Sequence, residues 1–379
     1  MTPADRVGPL ELLVIQPTPF CNLDCSYCYL PDRLNTKKIT LPTLEKAFNW
    51  AFSSGLVREP FTLLWHAGEP MVLPAAFYEQ ASILLDRCND ARVEVKQSFQ
   101  TNATLVDDAW CEFICRRDVH VGVSVDGPAF LHDRQRRTRK GEATLERVLN
   151  GMLKLQQAEI PFDIITVLTA DSLAYPDELF DFYLEHGIRS VAFNVEEIEG
   201  PNVRSSLQGH EIDGRFRRFF ARFLELALAA DPPLAVREFD WARANLTHRC
   251  KPGLGTQENR PFAILNVDCD GNFSTYSPEL LGLSSPRHGC FALGNVAHDS
   301  LESVLASPRF QAIDDEIRQG VATCEQSCRY FPFCGGGPPS NKYFENGTFA
   351  STETLFCRLH KQATYDVTLD ILERLKAAP

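Results

Sequence analysis

The chain has 379 residues, of which 44% are apolar and 23% charged, values typical of a soluble globular protein. Its formal net charge of −12 argues against a surface that binds nucleic acid or anionic membranes. No apolar run approaches the roughly 20 residues that a membrane span needs. The N-terminus lacks the apolar segment of a secretory signal, so we expect a cytoplasmic protein.

Strand-like apolar runs alternate with amphipathic helix-like runs over about the first 200 residues. Strands are predicted at 12–15, 61–65, 93–100, 119–124, 162–168 and 190–194, and helices at 42–51, 75–88, 107–117, 145–158 and 176–186. Six such β/α units predict an α/β fold with a parallel sheet that right-handed crossovers curl into a barrel or partial barrel. In such folds the chemistry lies at the carboxyl ends of the strands.

A second region follows a helix predicted at 215–230. From about residue 241 helical periodicity weakens, and Cys, Gly and turn residues accumulate. This composition is typical of a small module that a metal holds together in place of a large core. We therefore predict a barrel domain over 1–235, a metal-containing domain over 236–360 and a terminal helix within 361–379 that packs on the barrel.

Thirteen cysteines need an explanation, because disulfides are not expected in a reducing compartment. Cys21, Cys25 and Cys28 follow the first strand with the spacing C-x3-C-x2-C. A [4Fe–4S] cluster normally has four thiolate ligands, so three from one loop leave one iron open to bind a small molecule. A zinc knuckle is the alternative, although zinc sites usually contain paired cysteines.

A second group of cysteines lies near the C-terminus and comprises Cys324, Cys328, Cys334 and Cys357. Four thiolates complete the ligand set of an iron–sulfur cluster. A structural zinc ion uses the same ligand set and is the alternative here. Three scattered cysteines, Cys250, Cys269 and Cys290, are interpreted as structural.

The C-x3-C-x2-C motif directly after the first strand of a (β/α)6 pattern resembles the radical S-adenosylmethionine (SAM) superfamily. The resemblance implies a partial (β/α)6 barrel, a [4Fe–4S] cluster on Cys21, Cys25 and Cys28, and SAM bound to the open iron. It implies that the reduced cluster donates an electron to the SAM sulfonium, which yields methionine and a 5′-deoxyadenosyl radical. An electron donor such as flavodoxin or ferredoxin is also implied.

The ends of the later strands resemble the superfamily's SAM contacts. Ala67-Gly-Glu-Pro70 stands where the family has Gly-Gly-Glu-Pro, whose backbone and glutamate contact the methionine ammonium. Further motifs at the strand ends match the superfamily's contacts with the ribose, the carboxylate and the adenine of SAM. The resemblance thus implies a set of SAM-binding residues: Tyr27, Ala67, Gly68, Glu69, Asn102, Ser124, Arg136 and Asn194.

The segment Cys328-Arg-Tyr-x3-Cys334-Gly-Gly-Gly resembles the SPASM domain of peptide-modifying radical SAM enzymes, which often carries two auxiliary clusters. Two of the expected cysteines are absent, because Pro338 stands at one place and Tyr276 near the other. The resemblance, with these departures, implies a C-terminal SPASM/twitch-like domain with one auxiliary [4Fe–4S] cluster on Cys324, Cys328, Cys334 and Cys357.

Segments 12–25, 65–70, 121–133 and 340–349 together resemble the Grr-type, cyclophane-forming peptide maturases. This implies modification of a small ribosomally made precursor peptide (RiPP biosynthesis), in which an aromatic ring carbon is joined to the β-carbon of a residue two positions on. Candidates for the general base are Glu196, Glu197 and Asp126. The alternatives are sulfatase-maturase-like oxidation of Cys or Ser, peptide epimerisation and, among non-enzymes, an iron–sulfur electron carrier or zinc scaffold.

Overall fold

The computed structural model describes residues 7–247 and 256–377. The strands are β1 (Leu12–Ile15), β2 (Phe61–Trp65), β3 (Val95–Thr101), β4 (His120–Ser124), β5 (Phe162–Leu168), β6 (Ser190–Val195), β7 (Ala235–Val236), β8 (Ile264–Val267), β9 (Asn272–Thr275), β10 (Ser284–Ser285), β11 (Gly289–Cys290) and β12 (Gly294–Asn295). The helices are α1 (Leu41–Ser53), α2 (Ala75–Cys88), α3 (Asp108–Arg117), α4 (Ala129–Gln135), α5 (Leu145–Gln157), α6 (Pro176–Glu185), α7 (Ile212–Ala229), α8 (Arg237–Thr247), α9 (Leu301–Leu305), α10 (Pro308–Ser327), α11 (Phe331–Cys334), α12 (Pro339–Asn346) and α13 (Thr364–Ala377).

Ten strands form one sheet in the order β12-β9-β8-β1-β2-β3-β4-β5-β6-β7. Strands β1 to β7 are parallel and pair in chain order. Helices cover the outer side of such a sheet, so its central strands are buried on both faces, and Leu13, Val14 and Ile15 of β1 are each 0% exposed. The predicted α/β fold with a parallel partial barrel is confirmed.

The sheet continues past the predicted barrel domain. Strand β8 pairs in parallel with β1, so that Leu12 lies opposite Ile264, and β9 pairs antiparallel with β8. The hydrophobic core continues as well, because Trp50 of α1 packs on Phe273 of β9 with ring centroids 4.6 Å apart. The domain boundary at residue 235 stays a prediction, and both sheet and core cross it.

The expectation of weak helical structure after residue 241 is wrong. Helix α10 runs over Pro308–Ser327, and Ser307 caps it by accepting a hydrogen bond from the Phe310 backbone N–H. Its buried residues Phe310, Ile313 and Ile317 recur at helical spacing and pack into the core. A π-helix over Cys357–Ala363 leads into α13, which packs against α7 and α8. Among the described residues, no helix is both long and apolar enough to cross a membrane.

Candidate functional site

A cavity of about 320 Å³ lies at the carboxyl ends of β1 to β6. Parallel strands bring all their carboxyl ends to one edge, so loops that are distant in sequence meet there. Of the residues predicted for SAM binding, catalysis and the first cluster, those that line this cavity are Cys21, Cys25, Tyr27, Cys28, Ala67, Gly68, Glu69, Asn102, Ser124, Arg136, Asn194, Glu196 and Glu197. We call it the barrel cavity. Asp126 lies next to it and contacts three of its lining residues, Tyr27, Arg136 and Val167.

The loop that carries the three cysteines is held by the last residue of α4 and by the segment that follows it. The Ser26 backbone N–H donates to the Gln135 carbonyl at 3.0 Å, and the Arg139 Nε donates to the Cys21 carbonyl at 2.9 Å. The Leu23 backbone N–H donates to the Cys21 Sγ at 3.4 Å. These contacts hold the loop so that all three cysteines line the barrel cavity.

The three thiols fit a cationic inorganic cluster. Burial raises the pKa of Cys21 to about 12 and that of Cys25 to about 11. Metal ligation needs thiolates, and a bound cation stabilises a coordinating thiolate outright. A cluster core in the barrel cavity would therefore supply the positive charge that these buried thiols otherwise lack.

Glu69 joins the ends of β2 and β3. Its Oε1 accepts hydrogen bonds from the Met71 backbone N–H at 3.0 Å and from the Thr101 hydroxyl at 2.7 Å, while Oε2 accepts from the Asn102 backbone N–H at 2.8 Å. The side chain is 1% exposed, and burial raises its pKa despite these three bonds. A carboxylate has about four lone-pair positions, so about one is left for a ligand in the cavity.

The turn before Glu69 needs two residues with positive φ. Gly68 has φ +61°, and a Cβ there would lie 2.3 Å from the Thr18 carbonyl oxygen, so only glycine fits. Ala67 has φ +69°, in the left-handed region that L-residues other than glycine adopt at a cost of about 1–2 kcal/mol. Ala67, which replaces the family's first glycine, therefore has a strained backbone, although its methyl group is accommodated.

Asp126 is committed to a buried ion pair. Its Oδ2 accepts from Arg136 Nε at 3.0 Å and from the Tyr27 hydroxyl at 2.5 Å, and its Oδ1 accepts from the Val167 backbone N–H at 3.0 Å. Arg136 in turn lies over the Tyr27 ring at 5.4 Å. Asp126 thus positions the arginine and tyrosine that line the cavity, and both of its carboxylate oxygens are engaged by these contacts.

A group of three acidic side chains, which we call the acidic wall, lines part of the barrel cavity. They are Glu197, Glu199 and Glu279, and Asn341 of α12 donates to Glu197 Oε2 at 2.7 Å and to Glu199 Oε1 at 3.2 Å. Burial and the nearby Glu279 raise the pKa of Glu197 to about 8. The pKa of Glu199 is also raised, by burial and by Glu197. Burial therefore favours the protonated, neutral forms of Glu197 and Glu199.

Two further predicted residues make contacts with protein groups. Glu196 accepts from the Ser206 backbone N–H at 2.7 Å, and Asn194 Oδ1 accepts from Arg237 Nη2 at 2.8 Å. Both side chains still line the barrel cavity.

Sequence reasoning missed several lining residues. Glu199 and Glu279 were not predicted, nor were Tyr29 and His66, whose Oη and Nε2 lie 2.9 Å apart. Burial lowers the pKa of His66 to about 4, so this imidazole is neutral at pH 7. His66 directly precedes the Ala67-Gly-Glu-Pro70 motif, and its position at the end of β2 was the one available signal.

The C-terminal cysteines surround a second cavity of about 260 Å³, which we call the auxiliary cavity. Its lining includes Cys324 of α10, Cys328, Cys334 of α11 and Cys357 of the π-helix. Lys342 Nζ donates to Cys324 Sγ at 3.4 Å. Four thiols around one cavity match the donor set of a closed cluster. Within the described residues, no three Cys, His, Asp or Glu side chains converge as ligands of a single metal ion.

The places of the two missing cysteines are filled by other side chains. Tyr276 is 1% exposed, and its hydroxyl donates to Asp314 Oδ1 at 2.9 Å. Pro338 lines the auxiliary cavity. Cys269 is buried and Cys290 is exposed, while Cys250 lies outside the described residues. The number of auxiliary clusters stays a prediction.

The first loop of the partial barrel directs three cysteines into a cavity at the strand ends. This arrangement is typical of radical SAM proteins. The family pattern described as the Radical SAM superfamily matches residues 15–197. The chain belongs to this superfamily, whose members use a [4Fe–4S] cluster and SAM. These are therefore its implied cofactors, and the residues around the barrel cavity fit them.

Particular relatives extend the similarity over nearly the whole chain. It is 44% identical to uncharacterized protein sll1766 of Synechocystis sp. over 370 residues, which cover 97% of this chain and 93% of that protein. It is 24% identical to the serine-type anaerobic sulfatase-maturating enzyme of Bacteroides thetaiotaomicron over 362 residues, or 90% of this chain and 85% of that enzyme.

Two solved structures share the fold. Native anSMEcpe with bound AdoMet and Cp18Cys peptide has a TM-score of 0.77 at 18% identity, covering 97% of this chain and 99% of that chain. Streptococcus suis SuiB bound to precursor peptide SuiA has a TM-score of 0.63 at 17% identity, covering 92% and 76%. The shared fold thus includes the C-terminal region with the auxiliary cavity.

Proposed function

We propose that this chain is a radical SAM enzyme that modifies a peptide. The proposed reaction joins an aromatic ring carbon to the β-carbon of a nearby residue of a small precursor peptide. One observation carries the proposal: adjacent residues of α12 reach both cavities. Asn341 contacts Glu197 in the barrel cavity, and Lys342 contacts Cys324 in the auxiliary cavity. The site of radical chemistry and the proposed electron acceptor are thus neighbours.

The chemistry explains why both cavities are needed. A Cβ–H bond is too weakly acidic for a side-chain base, and SAM bound to a reduced cluster supplies the means to remove its hydrogen atom. The resulting carbon radical bonds to the ring of the neighbouring aromatic residue. The ring then loses one proton to a base and one electron to an acceptor, so the product lacks two hydrogen atoms. A cluster held by Cys324, Cys328, Cys334 and Cys357 in the auxiliary cavity would supply that electron acceptor.

Among the candidate bases, Glu197 is the one that the contacts support best. Its pKa of about 8 lies close to neutral pH, where a general base works efficiently. The carboxylates of Asp126 and Glu196 are engaged by an ion pair and by Ser206 respectively. A peptide ring placed in the barrel cavity against Glu197 would be separated from the auxiliary cavity by Glu197 and by Asn341 and Lys342 of α12.

A second reaction is supported by the full-length similarity to sulfatase-maturating enzymes. Oxidation of a serine alcohol to an aldehyde also removes one hydrogen atom from the β-carbon and then one proton and one electron. Its mass change equals that of a crosslink. The two products differ in chemistry, because only the oxidised serine carries a carbonyl group.

Mass spectrometry of a small precursor peptide, co-expressed with this chain from a neighbouring open reading frame, tests the proposal. We expect a loss of two hydrogen atoms per ring, no fragment ions between the joined residues and no reaction with a hydrazide. A Cys25→Ala variant serves as the control and should leave the peptide unmodified. A hydrazide adduct would indicate oxidation, and an unchanged mass with altered stereochemistry would indicate epimerisation. Either result would overturn the crosslinking proposal.

A further inference from the structure

Lys342 is a buried lysine to which the proposed reaction assigns no role. It lies on α12, is 3% exposed and lines the auxiliary cavity. Its Nζ lies 3.4 Å from Cys324 Sγ. The ion pairs of residues 7–247 and 256–377 include none between this ammonium and a carboxylate.

A buried ammonium is costly unless an opposite charge lies beside it. The carboxylates of proteins usually supply that charge, and here the partner that Lys342 contacts is a cysteine sulfur. Four thiolates around an iron–sulfur core carry a net negative charge. The position of Lys342 therefore indicates an anionic occupant of the auxiliary cavity, independently of the cysteine spacing.

The other polar groups at these sulfurs differ from Lys342. Gln362 Nε2 donates to Cys357 Sγ at 3.6 Å and is neutral. Lys361 also lines the cavity and its charge acts on Cys334, but its Nζ lies over the Trp241 ring, 3.9 Å from the ring centre. Lys342 is thus the cation in contact with a ligand sulfur among the described residues.

We propose that Lys342 raises the reduction potential of the auxiliary cluster through its hydrogen bond to Cys324. This deepens the proposed function and rests on its auxiliary cluster. Reduction adds one electron to the cluster, forms no bond and makes the cluster more negative. A neighbouring cation stabilises the more negative state, and hydrogen bonds to the sulfurs and net charge are known determinants of cluster potential. Lys342 thereby favours the uptake of the electron that the substrate ring releases.

The test is an anaerobic redox titration of the full chain with dithionite, followed by electron paramagnetic resonance. Replacing Cys21, Cys25 and Cys28 by alanine in every sample leaves the auxiliary cluster as the sole signal. Lys342→Met should lower the reduced-to-oxidised ratio at a fixed potential about tenfold, which is about 59 mV for a one-electron couple. Lys342→Arg keeps the charge and should stay close to the parent. Lys46→Met, an exposed lysine of α1, controls for net charge and should change nothing.

An unchanged midpoint in Lys342→Met would overturn the proposal. Equal shifts in Lys342→Met and Lys342→Arg would also overturn it, because side-chain shape and not charge would then set the potential. Zinc in the auxiliary cavity would overturn both this inference and the proposed electron acceptor. A shifted midpoint in an enzyme that forms no crosslink would support the role of Lys342 and overturn only the proposed reaction.

Discussion

Replacing Glu69 by glutamine measures how strongly this carboxylate joins the ends of β2 and β3. The carboxylate accepts from Met71, Thr101 and Asn102 with both of its oxygens. A glutamine amide has one oxygen only. If that oxygen faces Met71 and Thr101, the amide NH2 group faces the backbone N–H of Asn102, and two donors then meet in a buried place.

The size of the effect follows from these contacts. One buried donor left without an acceptor costs about 1–3 kcal/mol. Burial already raises the pKa of Glu69, so the charged form pays a desolvation penalty that the neutral amide avoids. The two effects oppose each other, and we expect Glu69→Gln to lower the free energy of unfolding by about 1–2 kcal/mol at pH 7.

Urea unfolding followed by circular dichroism measures this change in the protein without cofactors. Glu142→Gln is a matched control, because its side chain is 53% exposed, and its effect should stay within about 0.5 kcal/mol. Equal unfolding free energies for the two variants would refute the structural role of Glu69.

Three further predictions concern the same site. Glu197→Gln should retain SAM cleavage and lose the peptide product. In the unmutated enzyme, product formation should increase as the pH rises through about 8, where Glu197 loses its proton. A flat pH profile of product formation, measured by mass spectrometry, would contradict the role of Glu197 as base. Ala67→Gly should raise the free energy of urea unfolding by about 0.5–1 kcal/mol, since φ is +69° there; a loss of stability would contradict the strain. Asp126→Asn should lower it by about 3–5 kcal/mol, because Arg136 stays buried without a carboxylate, whereas Asp171→Asn in an exposed ion pair should cost less than about 1 kcal/mol.

The barrel could be predicted from the sequence because each of its strands and helices is indicated by the pattern of its own neighbouring residues. Each β/α unit contains its own periodicity, and the parallel order follows from crossover rules. The pairing of β8 with β1 was not predictable in this way. It joins residues about 250 positions apart, and each strand has four residues, too few for a clear periodic pattern.

The residues of the barrel cavity also fall into those that the sequence predicts and those that it does not. Asn102 directly follows β3 and Glu69 lies in the loop after β2, so parallel topology brings them together at one edge of the sheet. Glu279 reaches the barrel cavity from the C-terminal region, and only tertiary packing places it beside Glu197. Helix α10 is different, since its cap at Ser307 and its apolar spacing were visible in the sequence and were outweighed by the surrounding cysteines and glycines.

The most direct test of the central claim is the formation of 5′-deoxyadenosine from SAM by the anaerobically reconstituted protein with dithionite. We predict that the unmutated protein forms it and that the variant lacking Cys21, Cys25 and Cys28 does not. A variant with alanine at Cys324, Cys328, Cys334 and Cys357 should still form it while leaving the peptide uncrosslinked. Absence of 5′-deoxyadenosine from the unmutated protein with its clusters assembled would contradict the account and favour an iron–sulfur electron carrier.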